Sequence, residues 1–198
     1  MKIAVINEVS AKARNPDILK ALKPLGHNVI NLGMDPAKDQ PELTYIHTGL
    51  MAAIALNTGF CNLVVGGCGT GQGFMLSSMQ YPGVFTGLIE SPLDAWLFSQ
   101  INGGNCISLA LNKGYGWAAD INLRYIFERL FQDPFGQGYP QERQESQKRS
   151  RNILTQISSV THKPFSEAVR SLPEPYLKEV LEFPGFKNYL GQALKELV

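Results

Sequence analysis

Leu63-Val64-Val65-Gly66-Gly67-Cys68-Gly69-Thr70-Gly71-Gln72-Gly73-Phe74 is the stretch whose reading decides the fold. Leu63–Val65 is a short apolar run of the kind that fills a strand covered on both faces, and Phe74–Met79 reads as a short helix. Between them lie five glycines in eight residues, at a strand-to-helix junction. Working outward, Ile3–Ile6 reads as a strand and Asp17–Leu25 as a helix, opened by Asn15-Pro16 and closed by Gly26. Val29–Leu32 is a second strand, followed by a helix from Pro41 to about Asn57. Downstream, Val84–Ile89 is a fourth strand. Ser91-Pro92-Leu93-Asp94 then has the N-cap, N1 and N3 residues of a helix start. Cys106–Leu111 is the fifth strand and Trp117–Phe131 the helix after it. This alternation predicts an α/β fold: a three-layer Rossmann-like sandwich around a five-stranded parallel sheet, binding ligands beyond the strands' carboxyl ends.

After Phe131 the character changes. Gln132–Tyr139 is rich in Gly, Pro and Gln, and Gln141–Arg151 is strongly polar, which reads as a solvated helix face. The remainder has helical patterning broken by Pro164, Pro173, Pro175 and Pro184. The expected organisation is a core over residues 1–132 and a helical extension over 133–198, packed on the core or on a second subunit because its apolar stripes need a partner. In 198 residues, 44% are hydrophobic, and 18 Lys+Arg face 17 Asp+Glu. That excludes a disordered chain, and the balance lacks the basic footprint of a nucleic-acid binder. No apolar run reaches the ~20 residues that span a bilayer, and Met1–Val9 lacks the features of a signal peptide. The expectation is a soluble cytoplasmic protein that engages neither membrane nor nucleic acid. Cys61, Cys68 and Cys106 form no CxxC, and His27, His47 and His162 lie far apart, so no disulfide framework and no metal site are expected.

One or two glycines satisfy a turn; five point to a loop that cradles a ligand with its amides. The loop fits neither GxGxxG nor a Lys-ended phosphate loop, and Phe74 stands where a cysteine phosphatase has Arg. Cys68 lies where helix amides would favour a thiolate, which suits proton abstraction beside a carbonyl with N–H donors at the developing oxyanion. Cys61 and Cys106 read as inert core thiols. No Lys or Arg occurs between Lys38 and Lys113, so cations for an anionic substrate must come from Lys113 or from the Arg-containing tail.

Cys68-Gly69-Thr70-Gly71-Gln72-Gly73 after an apolar strand resembles the Cys-Gly-Thr-Gly-x-Gly loop of the sugar-phosphate isomerases that include type-B ribose-5-phosphate isomerase and galactose-6-phosphate isomerase. The order of elements agrees over about Met1–Arg143. The resemblance implies cofactor-free aldose–ketose interconversion through an enediolate, in a homodimer or higher homo-oligomer with shared sites. It implies Cys68 as base, Thr70 and the amides of Gly67, Gly69, Gly71 and Gly73 at the oxyanion, and Glu8 at the end of strand one. Tyr45, Asn102 and Asn105 would contact the sugar, Lys113 would stand in for the family's Arg at the phosphate, and Arg143 would come across the dimer. The chain departs at two imidazoles. Val9 follows Glu8 where the family has Asp-His, and Ile101 stands where it has the His thought to open the sugar ring. Of the family's two tail arginines one aligns, with Tyr139 near the other. The expected substrate is a phosphorylated sugar. The alternatives are a non-catalytic sugar-phosphate-binding subunit and an isomerase of an unphosphorylated or open-chain sugar.

Overall fold

A computed structural model describes the backbone of residues 1–197 and the side chains through Gly191. Five strands form one parallel sheet: β1 (Lys2–Asn7), β2 (Asn28–Asn31), β3 (Leu63–Cys68), β4 (Thr86–Ile89) and β5 (Cys106–Ala110). Their order is β2-β1-β3-β5-β4. Period-two alternation divides the core. Ile3 and Val5 of β1 pack with α1 (Asn15–Leu22), α4 (Pro92–Leu97) and α5 (Ala119–Leu130). Ala4 and Ile6 face the other way, onto α2 (Tyr45–Asn57) and α3 (Gln72–Ser78). The chain ends in α6 (Gln144–Thr161), α7 (Phe165–Arg170), α8 (Glu174–Glu182) and α9 (Pro184–Leu197). Val169, Leu177, Val180, Phe183, Phe186 and Leu190 are buried in the same cluster as α2. The apolar stripes of α7, α8 and α9 therefore find cover on this chain's own core.

Several boundaries differ from the sequence reading, each for a local reason. Helix α2 starts at Tyr45, not Pro41, because Leu43 is held in extended chain, its carbonyl accepting from Val9 N–H at 2.9 Å. Strand β4 starts at Thr86 because Phe85 N–H bonds to Asn105 Oδ1 at 2.9 Å. Helix α5 starts at Ala119, after Ala118 turns the chain with φ 63. The Ser91 cap is as expected, its side chain accepting from Asp94 N–H at 3.1 Å. Helix α4 then runs into a π turn over Phe98–Asn102 that ends at Gly103.

Candidate active site

In an open parallel sheet the ligand crevice forms where neighbouring strands send their connections to opposite sides, here between β1 and β3. Three groups of residues meet there: Glu8 and Ser10 after β1, Cys68–Gly71 after β3, and Asn112 and Lys113 after β5. Cys68 is 7% exposed, at the very end of β3, with Thr70 Oγ1 at 4.0 Å from its sulfur. Thr70 Oγ1 also accepts from Gln72 N–H at 3.4 Å, which turns its hydroxyl toward the loop.

The loop is held from both sides. Glu8 is buried, and its carboxylate accepts from both the N–H and the hydroxyl of Ser10. Ser10 Oγ in turn accepts from Gly69 N–H at 3.0 Å. Asn112 donates from Nδ2 to Ser10 O at 2.7 Å, while the Asn112 and Lys113 N–H groups both donate to Gly69 O at 2.9 Å. The peptide beside the thiol is thus clamped between the ends of β1 and β5. Neither Ser10 nor Asn112 was singled out in the sequence. The signal that could have found them is position: each is a small polar residue within a few places of a strand's carboxyl end.

The glycines serve packing more than the sequence suggested. Gly67 lies inside β3, paired with Asn7 and Leu109, so it belongs to the sheet ladder and not to the loop. Gly71 has φ 76, a conformation that favours glycine, and its carbonyl accepts from Ser108 Oγ. A Cβ on Gly73 would stand 2.9 Å from the Tyr45 ring, so glycine here lets the tyrosine lie against the start of α3. The Gly69 amide, expected at an oxyanion, is engaged by Ser10.

Lys113 pairs with Glu90 at 2.7 Å, both on the exposed edge. Beside them a cavity of about 370 Å³ is lined by Glu90, Ala110, Lys113, Tyr115 and the fully exposed Trp117. Tyr115 anchors this loop by donating to Asp17 Oδ2 at 2.6 Å, under the Arg14 guanidinium.

Asn102, Asn105 and Arg143 are not brought to Cys68 within one protomer. Cys68 pairs with Ala110 and Val64 with Cys106, so Asn105 lies about five strand residues, roughly 16 Å, toward the other, amino-terminal edge of the sheet. Asn105 is engaged there, its Nδ2 donating to Gly83 O at 2.7 Å. Asn102 is exposed at that far edge and lines a cavity with Met79, Thr86, Gln147, Arg151 and Leu154. Arg143 is exposed at the start of α6. Arg151, expected on a solvated face, instead donates to Ile101 O at 2.9 Å and Gly136 O at 2.6 Å. Among the described residues no group of three His, Cys, Asp or Glu is placed to hold a metal ion. No helix among them is long and apolar enough to cross a membrane.

The family model described as Ribose/Galactose Isomerase matches residues 3–147. A crystal structure described as a 4-deoxy-L-threo-5-hexosulose-uronate ketol-isomerase complexed with a tartrate is 41% identical, with TM-score 0.94, covering 100% of this chain and 99% of that one. A ribose-5-phosphate isomerase structure from Vibrio parahaemolyticus is 40% identical, with TM-score 0.93 and the same coverage. A type-B ribose-5-phosphate isomerase from Trypanosoma cruzi shares the fold at 18% identity and TM-score 0.68, matching 82% of this chain and 100% of its own. Comparison with curated proteins gives no match.

Proposed function

Because the chain belongs to the ribose/galactose isomerase family and is an aldose–ketose isomerase, we propose that it acts on an open-chain, unphosphorylated sugar acid of the hexosulose-uronate class, with Cys68 as the base. The Cys68 thiolate takes the proton from C2 of the aldose, and the electron pair forms the C1–C2 double bond of an enediolate. The O2 proton passes to O1, C2 becomes the carbonyl, and the thiol returns its proton to C1. Thr70, 4.0 Å from the sulfur, is the hydroxyl that serves the oxyanion, and Tyr45 contacts the sugar's hydroxyls.

The observation that carries the substrate class is the Lys113–Glu90 pair. Lys113, the cation expected at the phosphate, already has a carboxylate at 2.7 Å, a poor setting for a phosphate dianion. The relative at 41% identity is described as acting on an unphosphorylated uronate. A 4-deoxy sugar with a ketone at C5 has no hydroxyl at C4 or C5 to close onto C1, so its isomerisation needs no ring-opening imidazole. Val9 and Ile101 stand where the family carries imidazoles, which suits such a substrate. The 40% identity to a protein described as ribose-5-phosphate isomerase favours the second reading, a phosphorylated aldose.

The site completes itself in a homodimer, with Asn102 and Arg143 of one protomer reaching Cys68 of its partner. The support is an unpartnered stripe on α6: Ile153, Leu154, Ile157 and Val160 are 47, 50, 47 and 80% exposed. Leu154 and Met79 line the same cavity as Asn102. The test is turnover of 4-deoxy-L-threo-5-hexosulose-uronate against ribose 5-phosphate in deuterated water. Preferential uronate turnover with deuterium entering the product supports the proposal; preferential pentose phosphate turnover restores the second reading.

A further inference from the structure

We propose that the C-terminal extension is part of the substrate site: Tyr176 and Glu179 of α8 are positioning residues that hold Tyr45 against the catalytic loop. The inference rests on the reading that Tyr45 contacts substrate.

Tyr45 is the first residue of α2, and the first turn of that helix is fastened from α8 at two points. Tyr176 Oη donates to Ile46 O at 2.8 Å. His47 Nε2 meets Glu179 Oε2 at 2.7 Å, across 132 residues of sequence. The His47 tautomer follows from its other nitrogen: Nδ1 accepts from Thr44 N–H at 3.0 Å, so in the neutral ring Nε2 carries the hydrogen that Glu179 accepts. Tyr81 Oη lies 3.1 Å from Tyr176 Oη, and since the Tyr176 proton is used on Ile46, Tyr81 is the donor. Burial pushes the Tyr176 hydroxyl well above its ordinary value, which keeps that proton in place.

The same carbonyl joins the loop. Ser77 Oγ of α3 donates to Ile46 O at 3.2 Å, so α8, α2 and the helix that follows the catalytic loop converge on one atom. Gly49 makes this convergence possible, since a Cβ there would fall 2.1 Å from Ser77 Oγ. One turn earlier the Tyr45 ring lies on Gly73. Movement of α8 is therefore transmitted to the tyrosine and to the start of α3 together.

Chain length agrees with a site-specific role. The two relatives at 40–41% identity span this whole chain, whereas the T. cruzi enzyme is complete at 82% of it. The fold therefore stands without a segment of this length, so the extension is not needed merely to close the sandwich.

The experiment is a double-mutant cycle on kcat/KM with the full-length protein and whichever sugar it turns over. Tyr176→Phe keeps the packing and removes the hydroxyl; it should lower kcat/KM about tenfold, through KM more than kcat. In a Tyr45→Phe background the same change should cost less than about twofold, because the hydroxyl being positioned is gone. Glu179→Ala, at an exposed position that folding tolerates, should cost about threefold and be rescued by Glu179→Gln, which retains an acceptor for His47. Equal Tyr176→Phe penalties in both backgrounds, or no penalty from either variant, would overturn the proposal. Hydrogen exchange is the readout independent of substrate. Tyr176→Phe should speed amide exchange over residues 45–50 about tenfold, and unchanged exchange there counts against positioning. A wild type inactive on the uronate defeats the substrate assignment and leaves this comparison standing.

Discussion

Lys113 and Glu90 close an ion pair of 2.7 Å across the carboxyl ends of β5 and β4, at the edge where the substrate's anionic end would arrive. Both side chains are about half exposed, so the pair adds little to stability, at most about 1 kcal/mol. Its consequence is for binding. Glu90→Gln frees the ammonium and removes a carboxylate that repels dianions. Inhibition by inorganic phosphate or a sugar phosphate should tighten about threefold while the urea midpoint barely moves. Phosphate inhibition constants at low and high salt check this; an unchanged constant in Glu90→Gln would mean that Glu90 plays no part in selecting the anion.

The three thiols sort themselves by environment. Burial pushes Cys61 up to about 11 and Cys106 up to about 12, so at pH 8 roughly one in 10³ and one in 10⁴ of them is thiolate. Cys68, at the open end of β3, should take the first equivalent of iodoacetamide, with substrate protecting it. Peptide mapping of the alkylated protein reads this directly. Cys68→Ser should lose about 10²–10⁴ of kcat with the fold unchanged, the range for a removed general base. Full activity after Cys68→Ser, or equal labelling of Cys61, refutes the thiol base.

Local pattern carried the sequence reading where neighbours in sequence are neighbours in space. The five parallel strands, the Ser91 cap and the strand–loop–helix around Cys68 follow from apolar runs, cap residues and glycines within a dozen positions. Reading failed where a partner lies far along the chain. The apolar run ends at Val65, yet the ladder to Leu109 keeps Gly67 extended within β3. The bonds from the Asn105 amide to Gly83 and Phe85, twenty-odd residues earlier, were not legible in the sequence. The Thr44–His47 cap on α2 falls outside the common Ser/Thr-x-x-Glu pattern, and Tyr176 reaches Ile46 across 130 residues. Glycine spacing alone did not show that Gly73 also marks where Tyr45 lies against the chain.

His27 sets an acid-side slope on stability. Its ring meets Phe131 edge-on at 4.4 Å between centroids, and its buried Nε2 has no hydrogen-bond partner among the described residues. Burial first, and then the N-terminal ammonium, hold its pKa below the ordinary 6.5. The folded protein thus binds this proton less readily than the unfolded chain. The neutral ring's contribution is complete above about 6.5 and is lost as pH falls from there through the lowered value. Urea midpoints between pH 7.5 and 5.5 should fall more steeply for wild type than for His27→Leu. Parallel slopes would remove His27 as the cause.

Two half-sites at opposite edges of one sheet make a sharp demand on assembly. Cys68 ends β3, while Asn102 and Arg143 sit beyond the start of β5, and no side chain bridges roughly 16 Å of strand. If they act on one substrate, they must belong to different protomers, and α6 with its exposed Ile153, Leu154, Ile157 and Val160 is the surface that would bring them together. Cys68→Ala and Arg143→Ala should each be nearly inactive alone. Refolded together in equal amounts, about half of the dimers are mixed, and each mixed dimer has one site with both groups intact, so about a quarter of wild-type activity should return. Charging the stripe with Ile157→Glu should yield monomers on gel filtration and abolish activity with the fold retained. An active monomer, or co-refolded variants that stay inactive while forming mixed dimers, would confine the site to one chain and leave Asn102 and Arg143 without a part in the chemistry.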